Sequence, residues 1–177
     1  SRLGGSVTLI SGPAHLETPS GVARIDIETA QEMLVAVENS LDDTDIFIGA
    51  AAVCDMRPAK PSTNKLKKSI DNLSTLELTE NTDVIQAVAN GRRRPTVVIG
   101  FAAETDSVLE NAKEKLLAKS LDAVIANCVA NGDIFGQDNT QVTLVQNDME
   151  NPLTPGTKAE VAMEIMTLIS EFLSKRI

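Results

Sequence analysis

The chain has 177 residues, 42% of them hydrophobic, and a formal net charge of −9, which is typical of one globular domain rather than a disordered tail. The negative charge argues against DNA, RNA or an anionic membrane as the main partner, because phosphate contacts need a surplus of cations. No apolar run reaches the roughly 20 residues that span a bilayer. The two cysteines lack CxxC or metal-ligand spacing. These features predict a cytoplasmic protein with reduced thiols.

Strand and helix patterns alternate along the chain. Short β-rich or continuously apolar runs predict strands at Val7–Ile10, Ala23–Ile27, Ile46–Ala52, Thr96–Phe101, Ala123–Ala126 and Val142–Val145. Apolar residues at helical spacing predict helices at Ala30–Leu41, Asp83–Asn90, Ser107–Lys119 and Lys158–Ser174. Thr29 and Glu32 stand at the spacing of a capping box. This order predicts an α/β fold with a doubly wound, mostly parallel, Rossmann-like sheet.

One long segment interrupts the alternation. Residues 56–80 exceed the usual length of a connection in such a domain, so they are expected to form a flexible loop and carry extra structure. Leu73, Leu76 and Leu78 alternate with polar residues, which predicts a β-arm or flap inserted into the fold. Because such an arm is free to pair with a second subunit, we expect a homodimer.

The amino-terminal residues predict an unusual start to the sheet. Residues 1–5 have the pattern of a last helical turn with a glycine stop, and a strand follows directly. A doubly wound sheet normally begins with a strand and a phosphate-binding turn. We therefore expect residues 1–177 to be a single nucleotide-binding domain that lacks its first βα unit.

Two predicted strands end in similar small residues. Ile48 is followed by Gly49, Ala50 and Ala51, and Ile99 runs through Gly100 and Phe101 into paired alanines. Ligands of open α/β sheets bind outside the carboxyl ends of the strands, where small side chains let a base or ribose approach the backbone. Relief of crowding between strand and helix explains the same residues, and both explanations remain open. Asp55 likewise suits either magnesium-bound phosphate or a helix cap.

Lysines near these strand ends suit a polyphosphate. A loop carries Lys60, Lys65, Lys67 and Lys68 shortly after Asp55. Lys115 and Lys119 are four residues apart, so they share one face of a helix. A solvated surface is the ordinary explanation for such lysines, and it remains open for each of them.

Several ordered motifs together resemble a known family. They are Ala51–Pro58 (AAVCDMRP), Lys65–Lys68 (KLKK), Gly100–Thr105 (GFAAET), and Phe135–Asn139 (FGQDN) ahead of Val142–Leu144. Over essentially its whole length the chain resembles phosphopantothenoylcysteine synthetase, the ligase domain of the bacterial bifunctional coenzyme A biosynthesis protein.

The resemblance implies a carbon–nitrogen ligase. Members join 4'-phosphopantothenate to L-cysteine through an acyl-cytidylate, with CTP as co-substrate and Mg²⁺ as the divalent cation. By the family match, Lys65 is the catalytic lysine of the mobile loop, and no metal ligands are identified. The implied nucleotide-binding residues are Gly49, Ala50, Ala51, Asp55, Lys65, Thr82, Asp83, Val84, Ile85, Phe101, Lys115 and Lys119.

The chain departs from the family pattern in three places. Thr82 replaces a common proline, Cys128 replaces a usual aspartate, and the family's phosphate loop and catalytic asparagine precede Ser1. The last departure supports an alternative, a non-catalytic remnant that binds nucleotide or dimerises. A nicotinamide dehydrogenase is a third possibility, which the absence of a GxGxxG motif disfavours.

Overall fold

The computed structural model describes residues 1–62, 64–67, 75–129 and 138–176. These residues form four helices, α1 (Ala30–Asn39), α2 (Val84–Asn90), α3 (Val108–Ala118) and α4 (Lys158–Ser174). They also form eleven strands, β1 (Val7–Ser11), β2 (Val22–Asp26), β3 (Ile46–Gly49), β4 (Met56–Pro58), β5 (Leu78–Glu80), β6 (Val97–Glu104), β7 (Ala123–Cys128), β8 (Asn139–Thr140), β9 (Val142–Gln146), β10 (Met149–Pro152) and β11 (Gly156–Thr157).

The largest sheet has five strands in the order β10-β9-β7-β6-β3. The β3–β6 and β6–β7 pairs are parallel, whereas β9 and β10 add an antiparallel hairpin at one edge. On one face, Val161, Ile165 and Ile169 of α4 pack into a buried cluster with alternate residues of β6, β7 and β9. On the other face, Ile85 of α2 and Leu121 approach β6 at Gly100. The predicted α/β class, with parallel strands at its centre and helical residues on both faces, is confirmed.

The chain divides into two compact units. The first unit comprises Ser1–Glu38 and Ala52–Val84, and it contains the parallel pair β1–β2 and the antiparallel pair β4–β5. The second unit comprises Asn39–Ala51 and Ile85–Ile177, and it contains the five-stranded sheet. The expectation of one domain that lacks its first βα unit stays a prediction.

The predicted β-arm is present in the first unit. Strands β4 and β5 pair antiparallel, with Met56 opposite Glu80 and Pro58 opposite Leu78. The side chains of Met56 and Leu78 are about half exposed, and Leu76 is 69% exposed. Leu73 and Lys68, which belong to the predicted arm and loop, lie outside the described residues.

Strand ends differ from the predicted ends where pairing decides them. Strand β3 stops at Gly49 instead of Ala52, and β6 continues to Glu104 because its last residues pair with β7. The β9–β10 hairpin was not predicted, although its two-residue turn, Asn147 and Asp148, has the composition of a hairpin turn. The short strand β10 (MENP) lacks the run of apolar residues by which other strands were predicted.

A buried carboxylate fixes the start of β6. The side chain of Asp122 is only 7% exposed; it accepts a hydrogen bond from the Val98 N–H at 2.7 Å and pairs with Arg94 at 2.7 Å and Arg176 at 2.5 Å. Arg176 also lies over the ring of Phe172, 4.3 Å from its centroid. These contacts connect the starts of β6 and β7 with the end of α4, at the edge of the sheet opposite the carboxyl ends of the parallel strands.

Two glycines in register make room for one isoleucine. Gly49 of β3 pairs with Gly100 of β6, and a Cβ at either position would lie 2.9 or 3.2 Å from Cδ1 of Ile85. A Cβ at Gly100 would also lie 2.9 Å from Cδ1 of Leu121. Strand-to-helix packing therefore accounts for both glycines without a ligand.

We expect Gly100→Ala to lower the free energy of unfolding by about 1–3 kcal/mol, because the added methyl group overpacks this contact. Chemical denaturation of Gly100→Ala, Ile85→Val and the double variant measures the coupling. Ile85→Val removes the Cδ1 atom, so the double variant should be more stable than the sum of the single effects predicts. Strict additivity would contradict the packing role.

Capping boxes begin α1 and α4. At α4, the Glu160 N–H donates to Thr157 Oγ1 at 3.3 Å, while the Glu160 carboxylate accepts from the Thr157 N–H and hydroxyl at 2.9 and 2.7 Å. Thr29 and Glu32 form the predicted box at α1. At α4, the hydrogen bond from the Thr157 hydroxyl is the largest cause that lowers the pKa of Glu160 from its ordinary value of 4.5, and the bond from the Thr157 N–H lowers it further.

We expect Thr157→Ala to destabilise the protein by about 1 kcal/mol at neutral pH, because the cap loses its side-chain partner. A lowered pKa in the folded state stabilises the protein above the unfolded-state value, and this stabilisation is lost as the pH falls through the folded-state value. The difference between wild type and Thr157→Ala should therefore shrink below about pH 4.5. Thr167→Ala, within α4, is the matched control; an equal loss there would argue against the cap.

Candidate functional site

The carboxyl ends of β3 and β6 lie side by side. Strand β3 ends at Gly49, opposite Gly100, and β6 runs on to Glu104. Beyond Gly100, the described pairing of β6 is with β7 alone. The two strand ends that carry small residues therefore lie together. We call the space bounded by residues 49–51 and 101–104 the strand-end crevice.

Lys115 places a cation at this crevice. Helix α3 follows β6 and returns along the sheet, and Lys115 Nζ donates a hydrogen bond to the Phe101 carbonyl at 2.5 Å. Lys119 is the C-cap residue of α3, and its N–H bonds to the Lys115 carbonyl at 3.1 Å. The backbone thus sets both predicted lysines one helical turn apart, and the contact to Phe101 brings the Lys115 ammonium to the crevice.

The other predicted residues of the second unit contribute backbone more than side chains. The ring of Phe101 packs against the buried cluster under α4, so the crevice receives its carbonyl group. Ala50 and Ala51 are exposed beyond the end of β3. Ile85 fills the space above Gly49 and Gly100. Contact between these residues and a ligand stays a prediction.

Four further predicted residues follow the arm or belong to it. Lys65 and Thr82 are exposed, Asp83 is half-buried, and Val84 is buried as the first residue of α2. A buried valine offers a ligand only its backbone. The catalytic role predicted for Lys65 stays a prediction.

Asp55 is not a helix cap. The residues that follow it form strand β4, so the cap explanation is wrong. Its side chain is exposed, and no described residue forms a hydrogen bond or ion pair with its carboxylate. The carboxylate is therefore available to a ligand.

Sequence reasoning missed Asn81, whose contacts surround Asp55. Its N–H bonds to the Asp55 carbonyl at 2.7 Å, and its Nδ2 donates to the Cys54 carbonyl at 2.8 Å. Arg57 Nη1 donates to Asn81 Oδ1 at 3.1 Å. These partners lie 24 to 27 residues away along the chain, so no local pattern signals the cluster.

Sequence reasoning also missed a cavity at the end of β7. Its volume is about 680 Å³, and its lining includes Val108, Leu109, Ala126, Cys128, Thr140 and Thr143. None of its described lining residues is charged. Nearby, the Oδ1 atom of Asn127 is buried without a hydrogen-bond partner among the described residues.

The described parts of the chain show neither a metal-ligand cluster nor a membrane-spanning helix. Those residues contain no group of three or more histidine, cysteine or acidic side chains placed to hold a metal ion. None of the described helices is both long enough and apolar enough to cross a bilayer.

Comparison with known proteins identifies the family. Residues 1–173 match the family model described as "DNA/pantothenate metabolism flavoprotein C-terminal domain". The chain is 40% identical over 173 residues to the coenzyme A biosynthesis bifunctional protein CoaBC of Vibrio cholerae, covering 97% of this chain and 43% of that protein. It is 41% identical over 157 residues to the Escherichia coli K12 protein of the same name, covering 86% and 38%. The chain therefore spans less than half the length of these relatives.

Solved structures agree with this match. The C-terminal domain of a coenzyme A biosynthesis bifunctional protein CoaBC superposes with a TM-score of 0.80 at 32% identity, covering 98% of this chain and 78% of that one. The DNA/pantothenate metabolism flavoprotein from Streptococcus pneumoniae superposes with a TM-score of 0.75 at 20% identity, covering 97% and 83%, and it supports the fold alone.

These descriptions correct the assignment made from the resemblance. The family model names the C-terminal domain of a flavoprotein, and neither it nor the relatives' names describe a CTP-dependent ligase. The flavoprotein family therefore replaces the predicted phosphopantothenoylcysteine synthetase family. The predicted ligation of 4'-phosphopantothenate to L-cysteine and the carbon–nitrogen ligase class are corrected on the same finding. A flavin, implied by the family description, replaces the predicted CTP and Mg²⁺.

At the strand-end crevice, the described residues do not build a flavin site. An isoalloxazine ring needs a broad apolar slot, and the chain contains no tryptophan or tyrosine and only four phenylalanines. At the strand-end crevice, the Phe101 ring packs into the core and the residues after β3 are exposed alanines. No step is therefore assigned to a flavin in the described part of the chain.

The assignment to this family rests on a match over nearly the whole chain and on the shared fold. The family model covers residues 1–173, and the superposition with the CoaBC C-terminal domain covers 98% of the chain. The chain belongs to the DNA/pantothenate metabolism flavoprotein C-terminal domain family.

Proposed function

We propose that this chain serves coenzyme A biosynthesis by binding a phosphorylated ligand of that pathway at the strand-end crevice. The observation that carries the proposal is the Lys115 ammonium, held at the Phe101 carbonyl beside the ends of β3 and β6. The relatives' shared name supports the pathway. In a chain of net charge −9, a cation held at this edge creates a local site for an anion.

The bond between Lys115 and Phe101 explains how the site would take up phosphate. A backbone carbonyl is a neutral acceptor, whereas a phosphate oxygen forms a stronger, charge-assisted hydrogen bond with an ammonium group. A bound phosphate would therefore compete well for the Lys115 donors, of which an ammonium has three. Lys119, one turn along the same helix, is the second proposed phosphate contact.

The ligand's uncharged part would lie against backbone groups. Ala50 and Ala51 are exposed beyond the end of β3 and place no large side chain over their own peptide groups, which suits a planar base or a ribose. We also propose that residues of the first unit contact a ligand, independently of the strand-end crevice in the second unit. They are Asp55, Lys65, Thr82, Asp83 and Val84. A nucleotide is the ligand class that these residue types favour, and 4'-phosphopantothenate is a second phosphorylated candidate.

A binding panel tests the proposal. Isothermal titration of the full chain with ATP, CTP, GTP, UTP, FMN and 4'-phosphopantothenate, with L-cysteine as a phosphate-free ligand, should reveal binding of at least one phosphorylated compound. Lys115→Ala should weaken that binding about tenfold or more, because it removes a charge-assisted hydrogen bond.

Lys113→Ala is the matched control. Lys113 lies on the same helix but pairs with Glu150 at 2.5 Å, so its loss should leave the affinity nearly unchanged. Equal losses in the two variants would show a general charge effect and contradict a site at Lys115. Binding of none of the phosphorylated compounds would overturn the proposal.

We further propose that the chain forms a homodimer through the β-arm in the reducing cytoplasm. An isolated two-stranded hairpin is marginal in water, and this one exposes Met56, Leu76 and Leu78. A second copy of the same apolar strand surface supplies a matching partner. Both free thiols, Cys54 and Cys128, are exposed, as suits a reducing compartment.

We expect wild type to elute as a dimer in size-exclusion chromatography with light scattering, and Leu76→Asp/Leu78→Asp to elute as a monomer. The introduced charges would be buried at such an interface. Leu117→Asp, at an exposed leucine of α3, is the control and should remain dimeric. A monomeric wild type at micromolar concentration would contradict the arm's role.

A further inference from the structure

Asn81 closes the base of the β-arm. It follows β5 directly, and its N–H donates to the Asp55 carbonyl at 2.7 Å, just beyond the last strand pair, Met56 with Glu80. Its side-chain amide adds a bond to Cys54 at 2.8 Å and one from Arg57 at 3.1 Å. Arg57 Nη1 also donates to the Glu80 carbonyl. One residue thus holds three points on the chain around Asp55.

The partners define the orientation of the Asn81 amide. The Cys54 carbonyl can only accept a hydrogen bond, and the Arg57 guanidinium can only donate one. The amide nitrogen must therefore face Cys54 and the amide oxygen must face Arg57. Aspartate has the same shape but lacks the donor, so it cannot replace asparagine here.

These bonds fix the backbone on both sides of Asp55 and leave its side chain free. The carbonyl groups of Cys54 and Asp55 are both anchored by Asn81. The Asp55 carboxylate is exposed and has no hydrogen-bond or ion-pair partner among the described residues. The whole cluster lies within the first unit. Such an arrangement holds an acceptor in place before a ligand arrives, which reduces the entropy lost on binding.

We propose that Asn81 is a positioning residue that holds the Asp55 carboxylate ready to accept hydrogen bonds from hydroxyl or amine groups of a ligand bound at the first unit. This inference rests on the proposed function, since it assumes that Asp55 contacts a ligand. Asn81 itself acts through its bonds to the Asp55 segment and need not touch the ligand.

A double-mutant cycle tests the inference. The probe is the compound among ATP, CTP, GTP, UTP, FMN and 4'-phosphopantothenate that binds wild type, titrated into Asn81→Ala, Asp55→Ala and the double variant. We expect Asn81→Ala to weaken binding about tenfold and to have less than a twofold effect when Asp55 is already alanine, because residues acting as one unit are not additive. Asn81→Asp should lose affinity as Asn81→Ala does, since neither donates to Cys54.

Asn90→Ala controls for the loss of an amide. Asn90 belongs to the second unit, where it donates to the Gln86 carbonyl at 3.1 Å at the end of α2, and its variant should bind the probe as wild type does. A tenfold effect of Asn81→Ala that persists in the Asp55→Ala background, or unchanged affinity in Asn81→Ala, would overturn the positioning role.

A ligand-free measurement separates this inference from the proposed function. The backbone N–H of residue 81 donates to the Asp55 carbonyl, and Asn81→Ala keeps this group but removes the side-chain bonds to Cys54 and Arg57. If those bonds hold the segment closed, hydrogen exchange of this N–H should be at least about tenfold faster in Asn81→Ala than in wild type. If wild type binds no probe, the proposed function fails, and faster exchange would still support the fixed Asp55 segment. An unchanged exchange rate would refute it.

Discussion

The parallel register of β3 and β6 is the constraint on which the rest of the second unit depends. Because Gly49 lies opposite Gly100, Ile85 can approach both strands where any side chain would collide with it. That contact seats the start of α2 against the sheet. Strand β3 ends at Gly49, whereas β6 continues to Glu104 by pairing with β7, and the strand-end crevice is the space beside these unequal ends. The paired glycines that receive Ile85 therefore lie directly beside the candidate site.

The candidate site places a positively charged group in a chain whose net charge is negative. A net charge of −9 repels polyanions at long range, so an anionic ligand must be attracted by a few cations at close range. Lys115 Nζ donates a hydrogen bond to the Phe101 carbonyl, which holds the ammonium group beside the strand ends. Lys113, two residues earlier, is paired with Glu150. Lys113 and Lys115 are therefore two residues apart on one helix but are held by different partners.

The candidate site could be predicted only in part. Glycines and alanines after the apolar runs, and lysines at helical spacing, are local patterns, and the strand ends they mark do lie together. The role of Asn81 could not be predicted from the sequence, because its hydrogen-bond partners lie 24 to 27 residues away along the chain. The cavity at the end of β7 was missed for the same reason, since its walls come from α3, β7, β8 and β9. The name of the family came from comparison with known proteins, because fold and crevice do not specify a chemistry.

The sequence by itself determined the α/β class, the alternation of the main strands and helices, and the capping box at Thr29, because periodicity and capping depend on neighbours a few residues apart. Tertiary structure alone decided where β3 and β6 end, because a strand continues only while a partner strand pairs with it. It also decided which lysine reaches the crevice, and that Asp55 precedes a strand instead of capping a helix. Those outcomes depend on contacts between residues far apart in the chain, which no local pattern records.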